Sequence, residues 1–123
     1  MGVLTVRQGD AYLGVRRLIH TVVDSNGDPY DLTGMEAMRF EVFRRSTATA
    51  PLVAKDLDDG MELAVQSGAT LGVVYVELQP DDTEDLDPDD FMTFEVEGTD
   101  TIGPVTLESG RFVLLAEQIV EGS

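Results

Sequence analysis

The sequence predicts an all-β domain, an antiparallel sandwich or barrel of about eight or nine short strands. Three observations predict it. Apolar and polar side chains alternate with a period of two in several separate segments. Turn-forming residues punctuate the chain at intervals of roughly 8–12 residues, the spacing of sandwiches and barrels. A helix start is recognisable in one short stretch, near residues 80–86.

In chain order, residues 3–7 and 13–23 carry the alternation loosely, ahead of the dense turn Asp24-Ser25-Asn26-Gly27-Asp28-Pro29. Asn26-Gly27 suits a tight reversal with positive φ. Met38, Phe40 and Val42 then alternate with Arg39 and Glu41, and residues 52–56 follow less cleanly. Met61, Leu63 and Val65 alternate around Glu62, bracketed by Asp58-Asp59-Gly60 and Gln66-Ser67-Gly68. Val74, Val76 and Leu78 alternate with Tyr75, Glu77 and Gln79. Pro80, followed at once by Asp81 and Asp82, suits a helix N-terminus of one or two turns, closed by Asp87-Pro88. Met92, Phe94 and Val96 alternate with Thr93, Glu95 and Glu97, and residues 105–107 and 111–115 complete the set. Ser109-Gly110 interrupts the last run and predicts a bulge or a strand that changes sheet. One-sided alternation favours antiparallel neighbours, because buried parallel strands read as unbroken apolar runs.

The chain has 123 residues, and no linker or repeat divides it, so residues 1–123 are read as one domain. Its 24 acidic and 8 basic residues give a formal charge of −16, which repels nucleic acid and anionic lipid. No run of about 18 apolar residues predicts a membrane span, and the N-terminus lacks the pattern of a signal peptide. With no cysteine, thiol chemistry, disulfides and cysteine-based zinc sites are excluded. His20, the single histidine, sits in an apolar strand without a nucleophile motif and reads as a surface or satisfied core residue.

The remaining candidates for chemistry are weak. The acidic run at residues 81–90 could collect calcium, but its spacing matches no calcium loop, and it reads as a solvated loop and helix start. Asp24-x-Asn26-x-Asp28 opens like an EF-hand and then fails, with Pro29 at the sixth position and Met35 at the twelfth. Phosphate-binding loops are absent from the sequence, and a sugar cleft would need more aromatics than three tyrosines and no tryptophan provide. The expectation is a non-enzymatic protein with no catalytic residue, no cofactor and no metal. Arginine is scarce on so acidic a chain, so the doublets Arg16-Arg17 and Arg44-Arg45, with Arg111, are read either as internal partners for carboxylates or as interface residues.

Several segments occur in a recognisable order. They are Arg7-Gln8-Gly9-Asp10, Asp31-Leu32-Thr33-Gly34, Met38-Arg39-Phe40-Glu41-Val42-Phe43-Arg44, Gln79-Pro80-Asp81-Asp82-Thr83 and Ser109-Gly110-Arg111-Phe112. From about Arg7 to Leu115 the chain resembles the small immunoglobulin-like β-sandwich domains of tailed-phage virions, in particular the N-terminal domains of upper-baseplate and receptor-binding adaptor proteins. The resemblance implies a structural part of the virion, docked in multiple copies to capsid, connector, tail or fibre subunits. It supplies no catalytic residues. The sequence ends at Ser123 without a fibre or receptor-binding portion, so the expectation is a stand-alone decoration, neck or adaptor component. Residues 1–6, with Val3, Leu4 and Val6, and residues 118–123 are expected to be docking arms flanking the sandwich. The alternative is a carbohydrate- or cell-surface-binding module using Tyr12, Tyr30 and Tyr75.

Overall fold

In a computed structural model, residues 2–44 and 50–116 are described, and they form eight strands in two sheets. The strands are β1 (Gly2–Arg7), β2 (Leu18–Thr21), β3 (Ala37–Arg44), β4 (Val53–Asp56), β5 (Met61–Leu63), β6 (Val73–Val76), β7 (Met92–Thr99) and β8 (Pro104–Leu115). One sheet has the order β1-β8-β7-β3-β4 and the other β2-β6-β5. The helix expected near residues 80–86 is a single turn, α1 (Pro80–Thr83), with Pro80 in its first turn and a capping box between Gln79 and Asp82.

The inward side chains of both sheets make one core. Val6, Met38, Phe40, Val42, Phe94, Val96, Phe112 and Leu114 from the larger sheet meet Met61, Val74 and Val76 from the smaller one. Val22, Leu32 and Leu78, on the connections, are fully buried with them. Phe40 and Phe94 stack with ring centroids 6.0 Å apart. Each fully buried side chain of this size contributes roughly 1.5–3 kcal/mol, so the seam between the sheets dominates the stability.

Two expectations about pairing are corrected. β1 runs parallel to β8, from Gly2 opposite Gly110 to Arg7 opposite Leu115, while every other named pair is antiparallel. The alternation predicted one buried face and could not reveal strand direction, because an edge strand in either direction satisfies it. Ser109-Gly110 is neither a bulge nor a change of sheet, since β8 continues through it. A Cβ at Gly110 would run into the carbonyl oxygen of Gly2 and approach the Phe94 ring to 2.9 Å. Glycine is therefore what lets β1 lie against β8. The irregularity falls instead beside Leu107, where Val96 pairs with Glu108 and Glu97 with Thr106.

Residues 1–6, expected as a free arm, are corrected likewise: Gly2–Arg7 belongs to the sheet, with Val6 buried and Leu4 packed on the core. The second expected arm, residues 118–123, lies outside the described residues. The long strand expected at 13–23 is shortened to β2, because Gly14, at φ 57°, begins a 3-10 turn (Gly14–Arg16) whose first N–H donates to the Glu77 carboxylate. Val65 is exposed although its alternation placed it in the core. The strand register ends at Leu63, and Ala64 turns inward instead.

The quoted sequence motifs are chiefly turn devices. Gln8 Nε2 donates to the carbonyls of Glu84 and Leu86, and the Gly9 N–H donates to Thr83 Oγ1, tying the end of β1 to α1 and the segment after it. Asp24 Oδ1 accepts from the N–H groups of Asn26 and Asp28, and Gly27 alone in that turn takes positive φ, at 85°. Asp31 Oδ1 accepts from both the N–H and the hydroxyl of Thr33. Gln66 Oε1 accepts from the N–H groups of Leu32 and Gly72, joining two loops at one end of the core.

Two outcomes follow from this packing. Val6→Ala should cost about 2 kcal/mol in chemical denaturation, because it removes buried methyl groups from a closed core. A free arm would tolerate the change. The two hydrogen bonds from Thr33, the hydroxyl's first, hold the Asp31 carboxyl below its ordinary value. Stability from that carboxylate is present above its unfolded-state value and lost as pH falls through the depressed one. Asp31→Asn should therefore destabilise the protein at neutral pH and lose that effect in strong acid, as read from melting curves across pH.

Candidate docking surfaces

Because successive residues of a strand face opposite ways, each sheet carries an outward set of side chains aligned by the same register that builds the core. On the five-stranded sheet, Phe43, Thr93, Arg111 and Val3 form one continuous outward row across β3, β7, β8 and β1. Thr5 and Val113 form the next row toward the C-terminal end of β8, and Arg7 and Leu115 the one after. In the other direction lie Glu41, Glu95 and Ser109, and then Arg39 and Glu97, paired at 2.5 Å. A shallow groove bounded by Phe91, Thr93, Glu95, Ser109 and Arg111 crosses the junction between these regions.

On the three-stranded sheet, Ile19, Tyr75 and Glu62 share a row across β2, β6 and β5. Arg17 lies over Tyr75, with its guanidinium carbon 3.7 Å from the ring centroid, and reaches Glu62 at 3.4 Å. Val15 stands fully exposed on the adjoining 3-10 turn.

The candidate interface residues thus divide. Val3 is exposed and Arg111 lies beside it, stacked over Phe91 at 5.0 Å. Val6 is buried in the core, and Leu4 is partly buried against it. Arg17 belongs to the opposite sheet's face, and Arg16, on the adjoining 3-10 turn, is exposed. Arg44 pairs with Asp90 at 2.8 Å, as internal pairing anticipated. Arg45 lies outside the described residues. Neither Phe91 beneath Arg111 nor Phe43 in the same row is foreshadowed by any local motif, since the pairing of β3, β7 and β8 brings these segments together.

His20 faces inward from β2 and meets Glu108 of β8 across the two sheets, with the edge of its ring against Phe94 at 5.8 Å. Both side chains are largely buried. Glu108 lies opposite the inward-facing Val96 and in step with Phe112 and Leu114, so it faces the core by ordinary alternation, and the facing of the two sheets is what makes it the partner of the histidine. Lys55, also mostly buried, pairs with Asp82 at 2.8 Å and fastens α1 to the edge strand β4.

The acidic run is distributed over several such roles. Asp82 caps α1 and binds Lys55, Asp90 binds Arg44, and Asp87 accepts from the Asp89 N–H. Among the described residues no three of its carboxylates converge as ligands for a metal ion. Neither a scan against protein-family models nor a search of curated proteins gives a match.

Removing one member of the inter-sheet pair leaves the other poorly solvated. His20→Ala should destabilise the protein by about 2 kcal/mol or more, whereas joint replacement by His20→Leu and Glu108→Met should recover most of the loss. Equal loss in the single and double variants, by denaturant titration, would show that the pair contributes nothing beyond its packing volume.

Proposed function

We propose that the chain is a non-enzymatic structural component of a tailed-virus particle, a decoration, neck or baseplate–fibre adaptor that acts by docking to other virion proteins. The observation that carries this reading is the strand order. Lettered in sequence from A, with β4 as C′, the strands give B-E-D in one sheet and G-F-C-C′ in the other, an order that supports an immunoglobulin-like sandwich. β1 departs from the pattern by joining the G strand, and the antibody hallmarks of cysteine pair and tryptophan are absent from the sequence. Their place at the centre is filled by Phe40, Phe94 and Phe112. This order, together with the resemblance of the sequence motifs, supports the virion reading.

Docking is also favoured by how polar side chains are used. Gln8, Gln66, Thr83, Lys55 and the His20–Glu108 pair all hold loops or sheets to one another, which makes a stiff module. The sugar-binding alternative has less support, because its tyrosines are engaged. Tyr12 accepts the Arg7 N–H through its hydroxyl, Tyr30 packs on the core, and Tyr75 lies beneath Arg17.

The test is protein composition. Purified tailed particles from the producing cells should contain the chain in several copies per particle, by quantitative mass spectrometry. Its absence from particles, or binding of the purified chain on a glycan array, would overturn the proposal.

A further inference from the structure

The outer face of the five-stranded sheet is divided by charge. Its half nearer the C-terminal end of β8 presents Phe43, Thr93, Arg111, Val3, Thr5, Val113, Arg7 and Leu115, with no carboxylate among these outward strand residues, on a chain of charge −16. Glu95 borders this half, and Asp90 at its rim is engaged by Arg44. Val3, Phe91 and Leu115 are 66%, 42% and 40% exposed. Resting on the docking reading above, we propose that this acid-free half is the docking surface, and that it receives a different protein whose apolar side chains surround a carboxylate placed for Arg111.

Arg111 specifies the polar part of that partner. Its stacking on Phe91 holds the guanidinium in place, and no carboxylate pairs with it among the described residues. A planar guanidinium fixed in this way favours a carboxylate met in two-pronged fashion. Arginine is also among the residue types in which binding energy concentrates.

Area and charge decide against a second copy. Eight outward positions, each about 4.8 Å by 7 Å, give roughly 270 Å². That is about a third of the roughly 800 Å² per partner that a stable pair needs. A two-fold pairing through this half would offer Arg111 no carboxylate and bring together two bodies of charge −16 over this small area. A partner with complementary charge removes both penalties. A contact of this size is weak alone and gains strength when repeated on one assembly.

Photo-crosslinking in the cells that express the chain tests the proposal. The crosslinking amino acid is placed in full-length protein at Val3 or Val113, at Glu41 on the acidic half, or at Ile19 on the opposite sheet. Val3 and Val113 should crosslink to a different protein, through a peptide in which Asp or Glu stands among apolar residues. Arg111→Glu should lower that yield about tenfold or more without changing the melting temperature. Crosslinks from Ile19 or Glu41 but not from Val3 and Val113 would overturn this surface and leave docking intact. Crosslinks to the chain's own copies, or to a peptide lacking acidic residues with no effect of Arg111→Glu, would overturn the partner chemistry. No crosslink from any position would remove the docking reading itself.

Discussion

The alternation of side chains along a strand ties the interior of this protein to its exterior. The register that buries Phe94, Phe112 and Val6 also aligns Thr93, Arg111 and Val3 on the far side of the same sheet. A slip of one residue in β1 would expose Leu4 and Val6 and drive Val3 and Thr5 into the core. The core therefore selects the surface. Gly110 is the point at which this selection is enforced, because any side chain there would displace β1 at Gly2.

The electrostatics follow the same division. Among the described residues, four of the seven arginine and lysine side chains are held by the chain's own carboxylates, in Arg17–Glu62, Arg39–Glu97, Arg44–Asp90 and Lys55–Asp82. These pairs fasten neighbouring strands or pin loops to strands, and exposed ones such as Arg39–Glu97 add little net stability each. Arg111 is used differently, stacked on an aromatic ring at the edge of an apolar area. The His20–Glu108 pair sits between the sheets, where its geometric demands help fix how the two layers face one another.

Much of the fold was legible in the sequence because period-two patterning reports directly on which side chains meet the core. The segments around Phe40, Val76 and Phe94 were readable in this way, as was the proline-led turn at Pro80. What escaped was information that lies between segments. Strand direction left no mark on β1, and the partner of His20 depended on which strands of the two sheets lie face to face. Val65 misled because a three-residue strand ends before its pattern does. The candidate surface was half legible: Val3 and Arg111 stood out singly, but nothing local to either placed Phe43 and Phe91 beside them.

The register of β1 against β8 carries both the closed core and the exposed half-face, and amide hydrogen exchange followed by NMR tests it most directly. The Gln8 N–H donates to the Leu115 carbonyl, so alternation turns the N–H groups of Leu4 and Val6 toward β8 and those of Val3 and Thr5 toward solvent. The account predicts slow exchange at Leu4 and Val6 and fast exchange at Val3 and Thr5, with cross-strand contacts between Val3 and Arg111. Uniformly fast exchange through residues 2–7, or slow exchange at Val3 and Thr5 instead, would contradict it.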